Sequence, residues 1–168
     1  MEVLEILVTV EKTGEELFNH KLYDASALED RYGATRALAI SKNGRRIAVT
    51  LGKYGEKEKA EILAQAGAIA LHTFSGSTFR RGPETIDRRG AAFSPSESLL
   101  GICEETNTIG FWRTKNGEFA GRVVFYTAGR GCNIDGAIGL PPTFRVSISD
   151  EHDGRTFEVP IGPSVAGG

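Results

Sequence analysis

Short runs of alternating apolar and polar residues recur along the whole chain. The apolar residues that alternate are Val8, Val10, Ile40, Ile47, Val49, Ile69, Leu71, Ile109, Phe111, Val146, Ile148, Phe157 and Val159. Alternation at period two is typical of strands that bury one face. The sequence therefore predicts a mainly β protein.

Turn residues separate these runs. Glycine makes up 21 of the 168 residues, about 12%, which exceeds the usual level of roughly 7%. Asn43-Gly44, Asn116-Gly117 and Asp153-Gly154 place Asn-Gly or Asp-Gly where a tight hairpin needs a positive φ. We expect hairpins at these three points.

Two segments instead favour helix. Residues 56–66, EKEKAEILAQA, contain strong helix formers and neither Gly nor Pro, and they predict one short helical insertion. Between Asp24 and Tyr32, Ser26 and Glu29 have the spacing of a capping box, which favours one or two helical turns.

An internal repeat resembles a known family. Residues 90–121 follow the order strand, turn, strand, loop, strand, Asn-Gly turn and strand, and they are similar to one blade of a WD-repeat β-propeller. The residues that carry the resemblance are Phe93-Ser94-Pro95, Leu99-Leu100, Thr108-Ile109 and Trp112. Residues 37–49 repeat the first half 53 positions earlier, with Ile40, Ser41 and Ile47 over Phe93, Ser94 and Leu100. The resemblance implies β-propeller-like blades.

Fainter copies extend the repeat over a single domain of residues 1–168, with quasi-repeats near 3–18, 35–80, 90–122 and 123–160. Ile69 and Leu71 match Ile109 and Phe111 in this alignment. Trp112 precedes Arg rather than Asp, and the Gly-His pair of the family is absent. About three and a half blades fall short of the four to eight that close a propeller. We therefore expect the chain to form a homo-oligomer that covers its open sheet edges.

Two other architectures fit the same pattern. One is an α+β single domain in which the 56–66 helix packs on an antiparallel sheet of hairpins. The other is an all-β sandwich, because apolar alternation looks alike in all Gly-rich β proteins.

Charge and cysteine content exclude several classes. Twenty Lys and Arg against 22 Asp and Glu give a net charge of −2, so no basic field favours nucleic acid. No run of 18 apolar residues and no signal peptide occur, which predicts a cytoplasmic protein with no membrane partner.

Two cysteines are too few for a disulfide scaffold and lack the spacing of a zinc site, although a single disulfide between them stays possible. No metal or cofactor is expected.

Four arginines mark the strongest candidate for partner binding. Arg80-Arg81 and Arg88-Arg89 bracket the segment GPETID, and guanidinium groups suit carboxylate contacts. The blade alignment places Lys53, Tyr54, Glu104 and Glu105 on the same rim. This predicts a non-enzymatic interaction or assembly module that binds a protein or acidic peptide through a loop face. The alternative is a solvated loop paired internally with Glu84 and Asp87.

A second candidate is an anion site. Gly129, Arg130, Gly131 and Asn133 could bring backbone amides close to phosphate, but the third glycine and following helix of a dinucleotide motif are absent. On this basis the alternative function is a small α+β enzyme or a ligand-binding domain for an anionic small molecule. A structural subunit of a larger particle is the third. No set of residues has the spacing of a catalytic site, so no catalytic residue is predicted.

Overall fold

The part of the chain that the structure describes contains thirteen strands and the turns between some of them. The structure is a computed structural model, and it describes residues 3–24, 36–51, 59–74, 90–105, 107–126, 131–137, 143–149 and 154–161. The strands are β1 (Val3–Thr9), β2 (Glu16–Asp24), β3 (Arg36–Ile40), β4 (Arg46–Leu51), β5 (Lys59–Ala64), β6 (Gly67–Ala70), β7 (Ala91–Phe93), β8 (Leu99–Glu105), β9 (Thr108–Arg113), β10 (Phe119–Val124), β11 (Gly131–Ala137), β12 (Thr143–Ser149) and β13 (Gly154–Pro160). No described residue is helical. The prediction of a mainly β protein is confirmed.

The strands form four antiparallel sheets, and within each sheet the strands that are adjacent in sequence pair with one another. They are the hairpin β1–β2, the four-stranded sheets β3–β6 and β7–β10, and the three-stranded sheet β11–β13. The prediction of a WD-repeat propeller is wrong, because these sheets are separate and no closed or propeller-like sheet forms among the described strands. The alternation and spacing that suggested blades occur in any chain of successive hairpins, so they do not specify closure.

The helical insertion predicted over residues 56–66 is also wrong over residues 59–66, the part of it that the structure describes. Residues 59–64 of the 56–66 segment form β5, which pairs with β4 on one side and β6 on the other. Ile62 and Leu63 are both fully buried but belong to different apolar clusters. A strand covered on both faces buries consecutive apolar residues, and this pattern resembles a helix. The second predicted helical segment lies outside the described residues, except for Asp24, which ends β2. Without a helix at 59–64, the α+β alternative loses the element on which it depended.

Apolar side chains join the sheets in chain order. Val8 of the first hairpin packs with Val49 and Leu63 of sheet β3–β6. Ile62, on the other face of that sheet, packs with Trp112 of sheet β7–β10. A third cluster joins sheet β7–β10 to sheet β11–β13, and its buried members are Leu99, Cys103, Ile109, Phe111, Cys132, Ile134, Phe144, Val146, Ile148 and Ile161. Each sheet therefore depends on the next for its core.

The first hairpins of the two four-stranded sheets share one turn geometry. The backbone N–H of Ser41 donates to the carbonyl of Arg46 (2.9 Å), and the Ser41 hydroxyl accepts from the Arg46 N–H (3.1 Å). Ser94 makes the same two bonds with Leu99, at 2.8 and 3.1 Å. These serines are 53 positions apart, as the sequence repeat has them. The repeat of the second half aligns different strands, since Ile69 lies on β6, the fourth strand of its sheet, and Ile109 on β9, the third.

The two turns also contact each other. Three residues after each serine the backbone has a positive φ, at Gly44 (69°) and at Glu97 (58°). The Arg46 guanidinium donates to the carbonyl of Glu97 (3.2 Å) and to the hydroxyl of Thr114 (3.1 Å). Polar contacts between turns thus supplement the apolar contacts between sheets.

Candidate functional site

Most of the predicted partner-binding residues lie outside the described part of the chain. They are Lys53, Tyr54, Arg80, Arg81, Arg88 and Arg89, together with Gly129 and Arg130 of the candidate anion site. The roles assigned to these residues remain predictions. Glu104, Glu105, Gly131 and Asn133 are described, and the structure places them on strands.

Glu104 has a buried side chain and belongs to an ion pair whose other member is partly exposed, and its role in partner binding stays a prediction. Its side chain is only 3% exposed and lies within β8, where the guanidinium of Arg122 on β10 binds both carboxylate oxygens, at 2.5 and 2.9 Å. The pair crosses β9 at Gly110, where a Cβ atom would lie 3.0 Å from Cδ of Glu104 and 2.4 Å from the Trp112 ring. Gly110 therefore makes room for the pair. Glu105 ends β8.

Two of the four residues of the candidate anion site lie on a strand, and the other two lie outside the described residues. Gly131 and Asn133 belong to β11, and the side-chain oxygen of the exposed Asn133 accepts the backbone N–H of Ile134 (3.0 Å). Cys132, between them, is 7% exposed and forms a disulfide with Cys103 of β8. The bond was one of the outcomes that the sequence left open, and it ties sheet β11–β13 to sheet β7–β10.

An apolar cleft of about 210 Å³ lies between these two sheets, beside β10 and the end of β13. Its walls include Leu99, Phe111, Ala120, Val123, Phe144 and Ile161. The rings of Phe111 and Phe144 are 5.2 Å apart between centroids, with their planes inclined by 41°. Gly121 lines the cleft without a side chain, and Arg122 also borders it. The cleft is formed by two sheets that the disulfide joins.

Exposed apolar side chains lie on and just after β10. Phe119 is 37% exposed, Val124 49% and Tyr126 100%, and these three residues are called the β10 surface below. The ring of Phe119 contacts buried Trp112 (5.6 Å between centroids) and the guanidinium of Arg122 (5.2 Å from its centroid). β10 is an edge of its sheet, with no further described strand beside it. The β10 surface is thus anchored at Phe119 and accessible at Tyr126.

Two classes of site do not occur in the described ranges. No group of three or more His, Cys, Asp and Glu side chains there could hold a metal ion. No helix there is long and apolar enough to cross a membrane.

Sequence reasoning did not identify the cleft or the β10 surface. The signal was the segment FAGRVVFY, residues 119–126, in which aromatic and branched residues surround a single arginine. Its β-branched and aromatic residues indicate a strand, but only the order of strands in the sheet shows that the strand is an edge. The cleft in addition requires Phe144 and Ile161 of another sheet, which the spacing in sequence does not bring together.

The comparisons with known proteins assign no family. No protein-family model matches the sequence, and no curated protein matches it.

Proposed function

We propose that the protein is a non-enzymatic module that binds another protein through the β10 surface. The observation that supports this is the clustering of exposed apolar residues. Five large apolar side chains are exposed among the residues whose burial the structure describes, and three of them, Phe119, Val124 and Tyr126, fall within eight positions. Contiguous exposed apolar groups at an edge are typical of protein contacts, in which Tyr and Phe are enriched.

The shape of β10 favours contact through side chains rather than addition of a strand. Its pairing with β9 is irregular between Phe119 and Gly121, and Gly121 has a φ of +152°. Irregular pairing and a nearby charge, here Arg122, are features that protect sheet edges against pairing with other chains. A partner would therefore rest on the rings and on Val124.

Crosslinking from the β10 surface tests the proposal. We would replace Tyr126 by the photoreactive residue benzoylphenylalanine and irradiate cells that express the protein. Thr156, which is also exposed but lies on the polar face of β13 that carries Glu158, provides the matched control position. We expect a discrete adduct from position 126 and none from position 156. No adduct at 126, or the same adducts from both positions, would overturn the proposal.

The expected self-association belongs to the same proposal, because a second copy of the chain qualifies as a partner. Light scattering of the purified chain separates this case from binding of a different protein. The four arginines of the predicted loop face are a further part of the contact in this proposal. Replacing Arg80, Arg81, Arg88 and Arg89 by Ala should then weaken capture of the crosslinked partner.

The disulfide is relevant to the cellular compartment of the protein. A cytoplasmic location was expected from the sequence, and it remains a prediction. The Cys103–Cys132 bond weighs against it, because disulfides persist mainly in oxidising compartments. Trapping free thiols in freshly lysed cells tests this point: two free thiols would support the cytoplasm, and none would support an oxidising compartment.

A further inference from the structure

We propose that the cleft between sheets β7–β10 and β11–β13 is a binding site for a neutral aromatic group of about the size of benzene to indole. This site is separate from the β10 surface. Gly121 and Val123, which line the cleft, pair with Phe111 and Ile109, whereas Phe119 pairs with Trp112. Residues 111 and 112 point to opposite faces of β9, so the cleft and Phe119 lie on opposite faces of the sheet.

The walls of the cleft are apolar and fixed in position. Phe111 is 8% exposed and Phe144 1%, so both rings are held by the core and present only part of their surface to the cleft. A Cβ atom at Gly121 would meet no atom within 4 Å, so the wall is open at this point. Inclined rings beside open space suit an aromatic guest, because aromatic pairs prefer tilted or offset contacts.

Charge determines which aromatic groups fit. Arg122 is the one charged residue among those that line the cleft, but it pairs with Gly110, and its guanidinium lies over the Phe119 ring on the opposite face of the sheet, where it binds both oxygens of Glu104. The guanidinium is therefore directed away from the cleft, and none of the lining residues offers a charged side chain that could pair with a carboxylate ligand. Moving a charged group into the cleft without such a contact is costly. The site therefore favours neutral ligands over acids of the same shape.

Size sets the other limit. An apolar cavity of about 150 Å³ binds benzene, and sites for drug-sized ligands span roughly 300 to 1,000 Å³. A cleft of about 210 Å³ lies between these values. It accommodates a single ring or a fused pair of rings, and it is too small for a nucleotide or a sugar phosphate.

Titration with indole tests the site. We would follow the amide signals of Ala120, Gly121 and Val123 by NMR, with indole-3-acetate as the charged ligand of matched shape. We expect saturable shifts with indole, nuclear Overhauser contacts from indole to the rings of Phe111 and Phe144, and binding of indole-3-acetate at least tenfold weaker. No saturable shift, or equal affinity for the acid, would overturn the proposal.

Filling the cleft provides the variant test. Ala120→Leu places a larger side chain in the wall, and Ala68→Leu, at an exposed position of β6, is the matched control. We expect indole affinity to fall at least tenfold in A120L and to be unchanged in A68L. Equal binding of indole by a folded A120L would contradict the site. If A120L does not fold, the nuclear Overhauser contacts from indole to Phe111 and Phe144 in the natural protein provide the test, and their absence would contradict the site.

A third ligand separates two sources of the aromatic group. N-acetyltryptophanamide carries the same ring on a peptide backbone. Binding at least as tight as that of indole assigns the cleft to a tryptophan of a polypeptide, and tenfold weaker binding assigns it to a free small molecule. The indole titrations do not depend on the crosslink from position 126. A failure of the proposed function, in which position 126 gives no adduct, can therefore be distinguished from a failure of this site, in which indole does not bind.

Discussion

Removing the disulfide should cost a large part of the stability of the fold. The bond joins residues 29 positions apart, and the chain-entropy treatment assigns about 3.6 kcal/mol at 25 °C to a loop of that length. Cys103 and Cys132 are 2% and 7% exposed, so replacing both by Ala also removes buried packing atoms. We expect the double variant to lose about 3 to 4 kcal/mol of unfolding free energy.

Urea denaturation measures this loss directly. Trp112 is the only tryptophan and is fully buried, so its fluorescence reports unfolding of the region that the disulfide ties. Reduced natural protein should lose somewhat less stability than the double variant, because it keeps both buried sulfur atoms, and dithiothreitol should leave the double variant unchanged. A loss below about 1 kcal/mol, far from the expected value, would refute the reasoning. Two free thiols in the unreduced, denatured protein would do the same.

Three other substitutions test the packing around the ion pair and the repeated turn. Gly110→Ala should cost about 1 to 3 kcal/mol, because its Cβ would lie 2.4 Å from the Trp112 ring; Gly154→Ala, which meets no atom within 4 Å, is the control, and equal losses would contradict this account. Arg122→Leu should cost about 2 kcal/mol, less than the loss of a fully buried pair, because the Arg122 side chain is 41% exposed. Adding Glu104→Leu should recover part of that loss, and the account fails if it does not. Glu97→Gly should change stability by no more than about 1 kcal/mol, since a positive φ of 58° suits Gly; a larger loss in thermal unfolding would show that the two turns are not equivalent.

The turns and the first hairpins were the most predictable parts of the fold. Gly44 and Gly117 have positive φ values of 69° and 74°, as Asn-Gly hairpins require. Ser41 and Ser94 occupy equivalent turns because the local sequence specifies the hydrogen bonds within each turn. The closure of sheets on one another is not local, and the repeat could not determine it.

β5 shows why local propensity failed. Lys59, Ala60, Glu61 and Leu63 are adequate helix formers, but pairing with β4 and β6 and burial on both faces outweigh propensities of a few tenths of a kcal/mol per residue. The sequence gives no direct sign that both faces are covered, because this depends on the neighbouring sheets.

The ion pair and the disulfide beside the candidate site could not be predicted from the sequence for a related reason. Glu104 was expected on a rim because the blade alignment placed it in a loop, yet it lies on β8 and its partner Arg122 lies 18 positions away on β10. Cys103 and Cys132 likewise meet only when β11 packs against β8. Such pairs follow from the order of strands and the packing of sheets, which spacing in the sequence does not determine.

The affinity for the partner that crosslinks at position 126 tests the central claim most directly. Val124→Ser/Tyr126→Ser should raise Kd at least tenfold, about 1.4 kcal/mol, because exposed aromatic residues contribute most to such contacts. If the adduct contains a second copy of the chain, the dimer Kd from analytical ultracentrifugation is the equivalent quantity. A Kd within twofold of that of the natural protein, in a double variant that unfolds at the natural temperature, would contradict the assignment of the β10 surface.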